Sequence, residues 1–176
     1  MRGNAACCYT SCMDIFAFLD AHGIAYDRFN HPAVFTCEES TRLAPPMPGL
    51  HTKNLFLRDE KGKRRILVVV STEKRVDLKA LRTIVQASKL SFGSPELLRA
   101  SLGVEPGSVT ILGLMHDTDH QVEVIIDEEV WRAEAIGCHP LVNTATLVIP
   151  HAGLERFLQV TGHTHRVIAV PERATM

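Results

Sequence analysis

The chain has 176 residues, 45% of them hydrophobic, and 19 basic against 20 acidic side chains. That is enough apolar content for one sizeable core, and a net charge of −1 excludes the overall positive field of a general duplex binder, so no DNA role is expected. The apolar run 66–70 is far too short to cross a bilayer and the first twelve residues lack the apolar stretch of a signal peptide, so a cytoplasmic protein with no membrane contact is expected.

Residues 1–12 are small and polar and are expected to be a disordered tail, leaving 13–176 as a single domain. Ser11-x-x-Asp14 has the form of a capping box, and Ile15, Phe18, Leu19 and His22 share a helical face that Gly23 closes. A short strand over 24–29 stops at His31-Pro32, because proline biases the residue before it away from helix. Thr36-x-x-Glu39 is a second capping box, opening about two helical turns that Pro45-Pro46 end. The loop 45–51 is rich in proline and glycine. From Asn54 the chain reads as a hairpin: Leu55-Phe56-Leu57, a polar turn at 59–62, then the run 66–70, whose unbroken apolarity predicts a central strand covered on both faces.

Asp77 can cap a helix burying Leu78, Leu81, Ile84 and Val85, and Ser94-Pro95 begins another that Gly103 closes. Ser91-Phe92-Gly93-Ser94 looks like a serine site but is better explained by that cap. Strands are expected over 109–112 and 122–126, with a brief acidic helical turn at Asp127-Glu128-Glu129. Gly137-Cys138-His139-Pro140 reads as a rigid turn. A strand over 144–149, a helix burying Leu154, Phe157 and Leu158 up to Gly162, and a strand over 167–170 complete the chain. The expected architecture is one mixed-sheet α/β domain flanked by helices.

Two stretches carry chemistry. At His51-Thr52-Lys53-Asn54 an ammonium and a carboxamide stand where a loop becomes a strand. Lys53 alone could be a solvated lysine, but four polar side chains before Leu55-Phe56-Leu57 suit a phosphate or ester oxygen. At Gly137-Cys138-His139-Pro140, His139 can either hold the turn through a carbonyl or titrate in a pocket. Cys138 as a nucleophile would need a base, and its neighbours on an extended segment point away from it.

Five cysteines, three of them at Cys7, Cys8 and Cys12, fit reduced thiols. No Cys-x-x-Cys or His-Glu-x-x-His spacing indicates a metal, and His116/His120 and His163/His165 are loose pairs in expected turns. The glycine fingerprints of nucleotide binding and the Gly-x-Ser-x-Gly elbow are also absent.

Thr52-Lys53-Asn54-Leu55-Phe56-Leu57, Gly103-x-x-Pro106-Gly107-Ser108-Val109-Thr110 with Gly113-Leu114, and Gly137-Cys138-His139-Pro140 followed by Asn143-Thr144 resemble the YbaK/EbsC-type aminoacyl-tRNA deacylases, the prolyl-tRNA editing domain family. The form around Lys53 looks most like the freestanding branch that hydrolyses alanine mischarged on proline tRNA. The resemblance implies a mixed α/β fold, no cofactor and no metal, and a pocket built from the lysine and the glycine-to-proline loop. It implies Lys53 and His139 as catalytic residues, and Asn54, Gly137, Cys138 and Pro140 as substrate-binding residues. The implied partners are the acceptor end of a mischarged tRNA and prolyl-tRNA synthetase. Two alternatives remain open: a deacylase of seryl or cysteinyl esters, and a module that binds an aminoacyl end without hydrolysing it.

Overall fold

The structure, a computed structural model, describes residues 14–33 and 46–173. The tail with Cys7, Cys8 and Cys12, the Ser11 end of the first capping box and the helix expected at Thr36 and Glu39 lie outside the described residues.

Residues 66–70 decide the architecture. In strand β3 (Arg65–Ser71) they are fully buried, Leu67 and Val69 in one core and Ile66, Val68 and Val70 in another, so both faces of the sheet are covered. Strand β2 (Leu50–Asp59) pairs antiparallel with β3 from Thr52↔Ser71 to Arg58↔Arg65. The turn between them is held by the Asp59 carboxylate, which accepts the backbone N–H groups of Lys63 and Arg64. Strands β1 (Asp27–Asn30), β4 (Leu90–Phe92), β5 (Val122–Asp127), β6 (Ala135–Cys138), β7 (Ala145–Pro150) and β8 (His165–Ile168) complete a mixed sheet. Its order is β1-β7-β6-β2-β3-β5-β8, with β4 added to the end of β2. The pairs β2/β6, β3/β5 and β5/β8 are parallel and the rest antiparallel, which is the mixed α/β domain the sequence predicts.

Helices α1 (Ile15–Ala21), α3 (Pro95–Leu102) and α5 (His151–Thr161) cover the first core with Ile15, Leu19, Leu98, Leu102, Leu154 and Phe157. Helix α2 (Leu78–Ile84) covers the second with Leu81, and α4 (Glu128–Arg132) is a short turn after β5. At ~1.5–3 kcal/mol for each large apolar side chain taken out of water, the larger first core holds the sheet to most of its helices. The caps read from sequence are present: Asp77 accepts from Lys79 and Ala80, and Ser94 Oγ accepts from Leu97 with Pro95 at the first helical position.

Several elements differ from expectation, each through a long-range contact. The strand expected over 109–112 is a 3-10 helix, Ile111–His116, capped by the Thr110 hydroxyl. It packs so closely on α3 that a Cβ at Gly113 would lie 3.0 Å from Leu102 Cβ. The three-residue β4 exists because β2 offers it an edge, and Ile84, expected to be buried, is 39% exposed at the end of α2. The loop expected to reach His51 ends sooner, because β2 begins at Leu50 and already pairs with β6 there. For the same reason the turn expected at 137–140 is replaced, in its first half, by β6, with Gly137 and Cys138 inside the strand.

Candidate active site

Strands β2 and β6 meet in parallel at two registered pairs, Leu50↔Ile136 and His51↔Gly137. Leu50 and Ile136 face the first core, so His51 and Gly137, one residue on, face the other way. Lys53 lies two residues further along β2 on that second face, and His139 lies two residues beyond Gly137. The two chemistry-bearing stretches, more than eighty residues apart in sequence, are thus neighbours in space; Thr52 Oγ1 ties them by donating to the Gly137 carbonyl at 2.8 Å.

The same alternation divides the upstream cluster. Asn54 pairs with Val69 and shares the first-core face with Phe56, whereas Lys53 pairs with Val70 of the second core. The side chains of Asn54 and Lys53 therefore leave β2 in opposite directions, and Asn54 Oδ1 is buried without a hydrogen-bond partner. Lys53 Nζ donates to the Thr72 carbonyl at 2.7 Å, and among the described residues no carboxylate forms an ion pair with it. A cation held by a neutral carbonyl keeps its charge for an incoming anion or polarised oxygen.

His139 is anchored through Nδ1, 3.1 Å from the Ala145 carbonyl. A carbonyl can only accept, so Nδ1 carries the proton and, in the neutral ring, Nε2 keeps its lone pair. Burial pushes the His139 pKa below its ordinary value; the Ala145 carbonyl opposes that and the neighbouring His31 ring adds to it. The arrangement therefore favours a neutral imidazole whose Nε2 has no hydrogen-bond partner among the described residues.

Two residues that sequence reasoning did not place in the site join it from the edge of the sheet. His31, buried at the end of β1, bonds the Pro32 carbonyl through Nδ1 at 2.8 Å and lies 3.0 Å from Thr146 Oγ1 through Nε2. With Nδ1 donating, Nε2 of the neutral ring accepts the Thr146 hydroxyl proton. The His31 ring stands edge-on to His139 at 6.2 Å. A parity signal for Thr146 was present, since it alternates with Leu147 in an otherwise apolar strand, but only the β1/β7 and β6/β7 pairings bring it here. Gly137 lies against Thr146: a Cβ there would meet Thr146 Cγ2 at 3.4 Å, about ordinary van der Waals contact.

Pro140 is buried, and the next residue, Leu141, is held at φ +64°, a costly conformation for a bulky side chain in the loop that carries His139. Cys138 points into the first core, where burial pushes its thiol up to about 12. A thiol in that state is no nucleophile at neutral pH. Cys138→Ala should therefore retain activity within about twofold while lowering stability by roughly 1 kcal/mol for the lost packing; melting and rate measured on one sample check both, and a rate loss beyond tenfold would bring Cys138 into the chemistry.

A groove of about 740 Å³ between α5 and β8, lined by Trp131, Glu155, Arg156 and His165, lies away from these residues. Its buried His163 meets Asp117 through Nε2 at 3.1 Å and has no hydrogen-bond partner at Nδ1 among the described residues, and Trp131 packs between His151 and His165. No reactive arrangement results.

Comparison with known proteins bears on this face of the sheet. The family model described as "Aminoacyl-tRNA editing domain" matches residues 31–157, a span that runs from His31 past Thr146. The prolyl-tRNA editing protein ProX of Acetoanaerobium sticklandii is 34% identical over 154 residues, covering 88% of this chain and 94% of its own. The prolyl-tRNA synthetase associated domain-containing protein 1 of Danio rerio is 37% identical over 154 residues, covering 86% of this chain and 83% of its own. Among solved structures, a candidate trans-editing enzyme for prolyl tRNA synthetase superposes with a TM-score of 0.63 at 21% identity, covering 88% of this chain and 92% of its own, a likeness of fold.

Proposed function

This chain belongs to the aminoacyl-tRNA editing domain family and is an aminoacyl-tRNA deacylase acting on mischarged tRNA, and from that premise we propose alanyl-tRNA(Pro) as its substrate. The observation that carries the reading is the parallel β2/β6 register at His51↔Gly137, with Lys53 two residues along β2 from His51 and His139 just past the end of β6, two residues from Gly137. A synthetase pocket shaped for proline cannot strongly reject the smaller alanine, since each missing methylene is worth only about 1–3 kcal/mol. A second site too small for the proline ring removes the error.

In this mechanism the alanyl ester lies over Gly137. Lys53 Nζ faces the terminal phosphate or the ester carbonyl, because a like charge would repel the substrate's α-ammonium. The free Nε2 of His139 accepts a proton from the attacking water or from the ribose hydroxyl that directs it. The backbone N–H groups after Gly137, those of His139 and Leu141, steady the oxyanion; Pro140 has none to offer. Bond formation from water oxygen to the carbonyl carbon, followed by cleavage of the ester bond with the proton held by His139 passing to the leaving ribose oxygen, returns free alanine and tRNA. Its place of work would be the cytoplasm beside prolyl-tRNA synthetase, whose mischarged product it clears. Membership of an editing family argues against a module that binds without hydrolysing.

The testing experiment is a release panel with alanyl-, seryl- and cysteinyl-tRNA. Fastest release from alanyl-tRNA(Pro) is expected; faster release of serine or cysteine would transfer the assignment to that ester.

Acid should inhibit, with a direction set by His139. Its folded-state pKa lies below the ordinary 6.5, so the basic form persists through neutrality and kcat/KM should fall as pH drops below 6.5. The same protonation destabilises the fold, because an unfolded histidine takes up the proton more readily. The stability is complete above the ordinary histidine pKa and lost as pH falls through the depressed one. A pH–rate profile whose acid limb is unchanged in His139→Gln would remove His139 from the proton path.

A further inference from the structure

A like-charge pair lies at the far end of β2. Arg58 and Arg65 face each other directly across β2 and β3, a like-charge pair that is destabilising in isolation. Neither has a carboxylate partner among the described residues. Of the nearby acids, Asp59 accepts backbone N–H groups of the turn, Glu123 holds Arg64 through two contacts of 2.6 Å, and Glu60 stands exposed on the turn. Lys61 and Lys63 stand on the same turn without ion pairs. Residues 58–65 thus hold five basic side chains against two acidic ones in a chain whose sum is −1, which concentrates a positive field at one place on a near-neutral protein.

Beside this cluster is an unpartnered ring. Phe92 on β4 is 61% exposed and pairs with Leu57 of the second core, so it shares the face of Lys53. Between His51, where the β6 pairing stops, and Leu57, where the β4 pairing starts, no strand lies against this edge of β2 among the described residues. This edge of β2 runs from the site toward Phe92 and the turn. At ~3.4 Å per residue, Leu57 is ~14 Å and Arg58 ~17 Å from Lys53 along the strand. At ~3.4 Å per step of a stacked nucleic-acid strand, that is about four to five nucleotides from the esterified end.

We propose that Phe92 with Arg58, Lys61, Lys63 and Arg65 forms the surface that receives the tRNA acceptor arm. Phe92 stacks on an unpaired base, and the cations neutralise phosphates where the single-stranded end meets the duplex. Alternation puts Arg58 and Arg65 on the face opposite Lys53, so the arm crosses the end of the sheet at the turn. The identity of the partner rests on the editing reading above; the chemistry is that of a flexible strand entering a duplex.

The test compares an acceptor-stem minihelix with the alanyl ester of a CCA trinucleotide, which ends short of the cluster. Variants Arg58→Gln/Arg65→Gln and Lys61→Gln/Lys63→Gln should each weaken minihelix binding about tenfold at low salt and reduce the slope of log K against log salt by about one to two. They should leave hydrolysis of the trinucleotide ester unchanged. Phe92→Ala should weaken minihelix binding without altering the slope. The Arg58→Gln/Arg65→Gln protein should melt at or above the wild-type temperature, which separates lost contact from lost fold. Unchanged affinity and slope in the charge variants, or equal losses on both substrates, overturn the proposal. If the wild type binds the minihelix through these residues yet hydrolyses neither ester, the editing reading falls and the surface stands. Hydrolysis of both esters with variants that bind like wild type gives the reverse.

Discussion

Lys53→Ala should lower kcat/KM for alanyl-tRNA(Pro) by about 100- to 1,000-fold, the ~2.7–4 kcal/mol typical of removing a preorganised charge stabiliser from a developing oxyanion. Its fold should be nearly intact, because the ammonium makes one hydrogen bond, to the Thr72 carbonyl at 2.7 Å, and no ion pair among the described residues. Losing such a bond costs about 1.5–3 kcal/mol at most. Lys53→Arg keeps the charge but replaces a compact donor with a planar fork that cannot reach the same point, so it should recover only part of the rate. Single-turnover deacylation and thermal melting of the same preparations give both numbers. A loss under tenfold in the alanine variant would take Lys53 out of the chemistry.

Gly49→Ala should be the most damaging single methyl in the molecule. Gly49 sits at φ +85°, where alanine is strained, and its added Cβ would lie 2.7 Å from the Ala135 carbonyl oxygen, a backbone atom that cannot swing aside. Strain and overpacking together amount to about 2–4 kcal/mol, or a drop in Tm of roughly 5–15 °C for a domain of this size. The collision falls just before the Leu50↔Ile136 and His51↔Gly137 pairs that bring the two halves of the site together, so activity should fall further than stability alone explains. Melting within 2 °C of wild type would show that the β2/β6 contact has slack that the close approach denies.

What could be read directly was whatever depends on neighbours in sequence. The unbroken apolarity of 66–70 predicts a doubly covered central strand, and β3 is buried on both faces. Asp77, Ser94 and Gly103 mark helix ends through groups within four residues of themselves, and all three do so in the structure. Lys53 and the stretch from Gly137 to Pro140 stand out as chemistry in apolar surroundings, and they adjoin in the fold.

Tertiary structure decided the rest, because it turned on pairings between distant segments that each segment alone leaves undetermined. Gly137 reads as a turn residue until β2 lies beside it and makes it a strand residue. Residues 109–112 read as a strand until α3 offers Gly113 a surface to pack on. Which face each polar residue of β2 presents follows from period-two alternation, but only once the cores on the two sides are known; that separates Asn54 from Lys53 and joins His31 and Thr146 to His139. The sequence by itself singled out Lys53 and His139 as candidates and determined the kind of sheet that holds them. Strand register, whose energy is spread over contacts tens of residues apart, determined which of them share one face.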